Sequence, residues 1–183
     1  KGNARPVLNA QHLIGNDEPF FVFFADDFFR SEIPRAVQLL EAYKRTGKTV
    51  ISLIKVDRRD ADKYGMVAVR EDLGDGLIKL DQLVEKPGEA DAPSDLATVS
   101  GFLMTPDVMP VLRQEVVDKS GEITLSVHLN ECAKTHDIYG QIIDGVWHDA
   151  GDPLKYLKAV VDIALEHEKI GPELMEYLKK RIA

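Results

Sequence analysis

Cysteine is almost absent: Cys132 is the only one in 183 residues, which excludes an intramolecular disulfide and any cysteine-based zinc site. Basic residues are also in deficit. There are 23 Lys and Arg against 31 Asp and Glu, a formal net charge of -8, which argues against a nucleic-acid polymer or an anionic membrane surface as the main partner. No apolar run is long enough to span a membrane, and nothing has the pattern of a signal peptide. A soluble protein of the reducing cytoplasm is expected. No internal repeat, low-complexity tract or linker divides the chain, and no serine or cysteine nucleophile sits in an evident catalytic setting.

What is present suits one well-filled core. At 44% hydrophobic residues the expectation is a single domain. The chain starts at Lys1 rather than Met, so it is read as a piece of a longer polypeptide.

The pattern of elements is α/β. Lys1-Gly2-Asn3 leads into a helix expected from Ala4 to Ile14, with Val7, Leu8, Ala10, Leu13 and Ile14 at helical spacing. Phe20-Phe21-Val22-Phe23-Phe24 is a short aromatic and β-branched run, expected to be a buried strand of a parallel sheet that ends in Asp26-Asp27. Ser31 is the expected N-cap of a helix that closes at Gly47, and Lys48–Val56 is a second strand, expected to pair in parallel with the first. Leu73-Gly74-Asp75-Gly76 has hairpin-turn chemistry between apolar arms, the second running into Leu83-Val84-Glu85-Lys86-Pro87, and Leu96–Met104 is a further strand. The sheet is therefore mixed. Helices are expected at Pro106–Val117, with Thr105 as N-cap, and at Glu122–Lys134, followed by short strands at Asp137–Asp144 and Gly145–His148. Helices at Pro153–Glu168 and Pro172–Ile182 end the chain.

Charged residues at strand ends are the candidate site. In open α/β sheets ligands bind beyond the carboxyl ends of strands, so Asp26-Asp27 is read as acid delivered to a pocket. Adjacent strand residues point to opposite faces, so only one of the two faces a given ligand, and a lone carboxylate suits Mg²⁺, which fills its shell with water and substrate phosphates. The alternatives are a helix cap or two solvated acids. His148-Asp149-Ala150-Gly151-Asp152-Pro153 repeats the pattern: a strand ends in Asp149, small residues allow a turn, and Asp152-Pro153 is an N-cap with proline at N1. Asp149 is either a second metal ligand or a turn residue. Glu85-Lys86-Pro87 offers a carboxylate for sugar hydroxyls and an ammonium for a phosphate, or else an exposed ion pair.

Taken in order, Ala25-Asp26-Asp27, Lys63-Tyr64-Gly65-Met66-Val67, Leu83-Val84-Glu85-Lys86-Pro87, Ala92-Pro93-Ser94-Asp95-Leu96-Ala97, Gly121-Glu122-Ile123-Thr124-Leu125 and His148-Asp149-Ala150-Gly151-Asp152 resemble the bacterial sugar-1-phosphate nucleotidyltransferases. The similarity spans almost the whole chain. Pro93–Ala97 and Asp149–Ala159 look most like the uridylyl-transferring branch. The resemblance implies a Rossmann-like three-layer α/β/α fold, of which this chain is the C-terminal portion of one domain with the N-terminal part missing. It implies that Asp26 and Asp149 hold a catalytic Mg²⁺, that Tyr64 and Gly65 line the sugar side, that Glu85 binds glucose hydroxyls and that Lys86 contacts the sugar phosphate.

The implied partners are UTP and glucose 1-phosphate, giving UDP-glucose and pyrophosphate, and a homo-oligomer is expected. The implied chemistry needs alignment and charge neutralisation but no covalent enzyme intermediate. The family's glycine-rich phosphate loop is absent from this sequence, so the chain alone is expected to bind UTP poorly and to catalyse little. Ser126-Val127 stands where the family has Thr-Asp, Ser100 where it has Gly, and Gly2-Asn3-Ala4-Arg5-Pro6 where it has Gly-Leu-Gly-His-Ala. Transfer with another base or sugar, or non-catalytic binding of a sugar nucleotide, are the alternative functions.

Overall fold

The computed structural model describes residues 2–15 and 17–182. Lys1, which opens the lead-in to the first helix, lies outside the described residues. In chain order the elements are α1 (Arg5–Ala10), β1 (Phe20–Val22), β2 (Asp27–Arg30), α2 (Arg35–Thr46), β3 (Val50–Lys55), β4 (Gly65–Asp72), β5 (Leu77–Glu85), β6 (Leu96–Met104), α3 (Met109–Leu112), α4 (Leu125–Ala133), β7 (Tyr139–Ile142), β8 (Val146–Asp149), α5 (Pro153–Glu166) and α6 (Gly171–Ile182). Among the described residues no helix is long and apolar enough to cross a membrane.

The chain divides into two compact units. One takes the chain up to Phe24 and then Ser31–Gly145; the other takes Ala25–Arg30 and the chain from Val146 onward. The first unit is built on a mixed sheet in the order β1-β6-β3-β7-β5-β4, with β3 and β7 parallel and the other neighbours antiparallel. β3 is apolar and buried along nearly its whole length because both sheet faces are covered. Its Ile51 and Leu53 join a core with Leu125, Leu129 and Cys132 of α4, while α2, with Leu39 and Ala42 buried, packs against β3, β6 and β7. Helix α2 stops where expected, at Gly47, whose φ of 62° is the left-handed conformation that glycine adopts without a Cβ penalty. The β4–β5 hairpin forms around Gly74-Asp75-Gly76 as its turn chemistry predicts.

Three expectations are corrected. Phe20–Phe24 is not a buried strand of a parallel sheet: β1 has three residues, pairs antiparallel to β6 at the sheet edge, and leaves Phe21 and Phe23 41% and 42% exposed. β1 and β3 do run in the same direction, but they are not paired, because β6 lies between them and is antiparallel to both. The nine-residue β6, buried at eight positions, takes the interior slot that the shorter aromatic run was expected to fill. Ser31 is not an N-cap: its hydroxyl donates to the Ile33 carbonyl, and α2 begins after Pro34. Pro106–Val117 is shorter than read, a 3-10 turn at Pro106–Val108 followed by α3; Thr105 is its N-cap residue with proline next, as expected, but its hydroxyl bonds the Thr49 hydroxyl at 2.8 Å and makes no capping bond to a helix N–H.

The second unit pairs β2 with β8 in an antiparallel two-stranded sheet and adds α5 and α6. The rings of Phe28 and His148 stack across the strands at 5.0 Å. α5 starts as expected, with the Asp152 carboxylate accepting from the Lys155 N–H at 2.9 Å and Pro153 at N1.

Candidate functional site

Two places in the molecule carry candidate chemistry, one in each unit. In the second unit, antiparallel pairing sets Asp27, the first residue of β2, opposite Asp149, the last of β8. Asp26 lies in the turn just before β2, not on a strand of the main sheet, and its carbonyl accepts from the Ala150 N–H at 2.8 Å. A start beside an end is how residues so far apart in the chain come together.

Their carboxylates converge on Gly151. A Cβ placed there would lie 3.2 Å from Asp26 Oδ2 and 3.3 Å from Asp149 Oδ1, so glycine keeps open the point that both oxygens face. Of the two adjacent acids it is thus Asp26 whose carboxylate shares this point with Asp149. Asp149 is held from two sides: Oδ1 accepts from the Gly151 N–H at 3.1 Å and Oδ2 from Lys155 Nζ at 2.9 Å. The Lys155 ammonium also lies 5.5 Å from the centre of the Trp147 ring.

Two converging hard-oxygen donors are a set that fits Mg²⁺, which is commonly held by one or two carboxylates and completes its shell with water and substrate phosphates. Among the described residues no cluster of three or more His, Cys, Asp or Glu side chains is arranged to hold a metal. That donor count is too small for a structural zinc or an all-protein calcium cage. A carboxylate pair of this kind can bind and orient a cation that a phosphorylated ligand also grips.

In the first unit a cavity of about 180 Å³ is lined by Tyr64, Gly65 and Glu85 together with Asn3, Lys63, Thr98, Ser100, Thr124 and Ser126, and by apolar Phe24, Leu83, Val99, Phe102 and Leu125. Gly65 opens β4 and is the register partner of Glu85, which closes β5. A Cβ at Gly65 would come 2.9 Å from Thr98 Oγ1 and 3.3 Å from Glu85 Oε2, so the missing side chain leaves room beside a hydroxyl and a carboxylate. Apolar walls with a few convergent hydroxyl and carboxylate groups suit a small polyhydroxylated ligand. Lys63 is tied to Asp60 at 2.6 Å, a hydrogen bond that raises its pKa above the ordinary lysine value.

Lys86 follows Glu85 directly but is not among the residues that line this cavity; it is exposed, with a left-handed φ of 45°, and its N–H donates to the Tyr64 carbonyl at 3.2 Å. The structure therefore brings Tyr64, Gly65 and Glu85 to one cavity, and Asp26 and Asp149 to one point.

Several lining groups escaped the reading of the sequence. Thr98 and Ser100 carried a usable signal, two polar residues at strand spacing inside an otherwise apolar run. Asn3 carried none: its Oδ1 accepts from the Leu125 N–H at 2.7 Å, a contact between opposite ends of the first unit's chain. Lys155 lay inside a recognised motif, but its fold-back onto Asp149 requires the α5 start and the β8 end to be fixed together.

Residues 1–166 match the family model described as nucleotidyl transferase. A UTP-glucose-1-phosphate uridylyltransferase 1 of Streptococcus pyogenes serotype M3 is 34% identical over 184 residues, which cover 98% of this chain and 60% of the relative. Among solved structures, a UDP-glucose pyrophosphorylase complexed with UDP-glucose superposes with a TM-score of 0.81 at 31% identity, over 87% of this chain and 60% of that one. A UTP-bound UGPase from Acinetobacter baumannii gives 0.83 at 26% identity, over 96% of this chain and 60% of that one. The chain thus spans about 60% of the length of these relatives. On the family match and on this identity over nearly its whole length, the chain belongs to the nucleotidyl transferase family.

Proposed function

We propose that this chain serves the transfer of a uridylyl group from UTP to glucose 1-phosphate, giving UDP-glucose and pyrophosphate. The convergence of Asp26 and Asp149 on Gly151 carries this reading, because it supplies a place for a divalent ion without a nucleophile or general base. The relatives named for UTP-glucose-1-phosphate uridylyltransferase, and the related structures holding UDP-glucose or UTP, support the choice of base and sugar.

In the reaction a phosphate oxygen of glucose 1-phosphate forms a bond to the α-phosphorus of UTP, and the bond from that phosphorus to the bridging oxygen breaks, its electron pair leaving with pyrophosphate. Asp26 and Asp149 would hold Mg²⁺, whose contribution when bound is to neutralise phosphate charge. Glu85 accepts hydrogen bonds from sugar hydroxyls, and the space left by Gly65 admits the ring beside Thr98. Tyr64 forms part of the same wall. Lys86, exposed next to Glu85, is the ammonium available to the sugar phosphate. Such catalysis rests on alignment and electrostatics, not on covalent chemistry.

The single buried Cys132 supports a reducing, cytoplasmic setting. Exposed Leu154, Leu157, Val160 and Ile163 on α5 and Met175 and Tyr177 on α6 support a homo-oligomer.

The test is Mg²⁺-dependent pyrophosphorolysis of UDP-glucose by the full-length polypeptide, with ADP-glucose and dTDP-glucose as competitors. UDP-glucose is expected to be consumed, and both Asp26→Ala and Asp149→Ala are expected to abolish turnover. Undiminished activity in both variants would overturn the metal assignment; preference for another nucleotide sugar would overturn the substrate.

A further inference from the structure

Asp149 already has a cation on one oxygen. Lys155 Nζ lies 2.9 Å from Asp149 Oδ2, while Asp149 Oδ1 faces Gly151 and, across it, Asp26 Oδ2. The lysine is placed by the fold: its N–H is capped by Asp152 at 2.9 Å in the first turn of α5, and its ammonium lies 5.5 Å from the Trp147 ring centre. The pair is partly open to solvent, with side-chain exposures of 43% for Lys155 and 27% for Asp149, and an ion pair of that kind adds little to stability. Its consequence lies in the charge it brings to the carboxylate pair.

We propose that Lys155 is a resident counter-cation of the Asp26–Asp149 pair, which lowers the pair's affinity for a free divalent ion and makes metal binding depend on phosphates supplied by the ligand. The inference rests on the proposed role of Asp26 and Asp149 as metal ligands. A +1 and a +2 charge on the two oxygens of one carboxylate repel, and for a pair this open to solvent, screened nearly as in bulk water, this is worth about tenfold in binding. A metal ion is therefore held weakly by the empty pair, and a phosphate-bound ion, with much of its charge already offset, escapes most of the penalty. Lys155 acts through Asp149 and is a positioning residue.

The experiment is titration of the protein with Mn²⁺, following free Mn²⁺ by electron paramagnetic resonance, for wild type, Lys155→Met and Lys155→Arg, with Asp26→Asn and Asp149→Asn as controls. Lys155→Met is expected to bind Mn²⁺ about tenfold more tightly than wild type. Lys155→Arg, which keeps the charge, is expected to bind as wild type does. Unchanged or weaker binding in Lys155→Met, beside a wild type whose binding both Asn variants abolish, would overturn the counter-cation alone. Binding that survives in both Asn variants would overturn the metal assignment and this inference with it. Melting curves without metal verify that every variant is folded.

Discussion

A methyl group at Gly65 tests the sugar cavity with the smallest available change. In Gly65→Ala the new Cβ would sit 2.9 Å from Thr98 Oγ1, closer than Cβ atoms approach other atoms, and 3.3 Å from Glu85 Oε2. Thr98 is β-branched and lies within β6, so turning its hydroxyl away costs about 0.5–1.5 kcal/mol, and Glu85 must also give by a few tenths of an ångström. Glu85 is exposed at the end of its strand and yields readily, which holds the expected loss of folding stability to about 1 kcal/mol. Binding suffers more, because the methyl fills the space proposed for the sugar and shifts two of its partners together. Losing one hydrogen bond to a charged group and one to a neutral hydroxyl is worth about 2–3 kcal/mol, a roughly 30- to 150-fold rise in Kd. Calorimetric titration of UDP-glucose into the full-length polypeptide measures this, and urea unfolding separates it from destabilisation. A Kd within twofold of wild type, with folding intact, would refute the steric account and remove Gly65, Thr98 and Glu85 from the sugar site.

Gly140→Ala pushes a Cβ to 2.3 Å from Leu53 Cδ1 between the parallel strands β7 and β3, and a loss of about 1–3 kcal/mol by urea unfolding is expected, partly restored by Leu53→Val; full stability of the single variant would contradict the packing. Arg35→Met removes the buried Nη1 donor to the Ser100 carbonyl at 2.7 Å and the stacking of the guanidinium on Phe23 at 4.8 Å, with about 1–3 kcal/mol expected to be lost and no rescue by Lys. Burial, reinforced by Asp107 and Glu131, pushes the Cys132 thiol up to about 12, so the folded protein holds a proton that the unfolded chain releases near the ordinary thiol value of about 8.5. This contribution is fully present below the unfolded value and is lost as pH rises toward the folded one. Melting temperature is thus expected to fall more steeply above pH ~9 in wild type than in Cys132→Ala, and iodoacetamide at pH ~8.5 is expected to label Cys132 only after unfolding. Rapid labelling of the native protein would contradict the burial.

Elements whose cause is local were legible in the sequence. The β4–β5 hairpin follows from glycines at the turn, the end of α2 from Gly47, and the start of α5 from Asp152-Pro153; each signal lies within a few residues of its effect. Misreadings fell where two stretches compete for one place. Phe20–Phe24 is as apolar as any strand in the chain, yet the longer β6 took the interior and left it three paired residues on the edge. β2 was not foreseen because the preceding strand reads as ending at Asp26-Asp27, and Phe28-Phe29-Arg30 is too short to mark a strand until β8 is there to pair with it.

The residues themselves determined which chemistry the chain can offer: carboxylates in Asp26-Asp27, Glu85 and Asp149, an ammonium at Lys86, and no thiol pair. Side-chain type and short-range propensity are written in contiguous residues and survive without any fold. Only the tertiary structure decided that Asp27 pairs across the strands with Asp149, that the Asp26 and Asp149 carboxylates both face Gly151, and that Lys155 covers the second Asp149 oxygen. Those relations depend on the register of β2 against β8, which a ladder of hydrogen bonds between distant segments sets and which no local preference encodes.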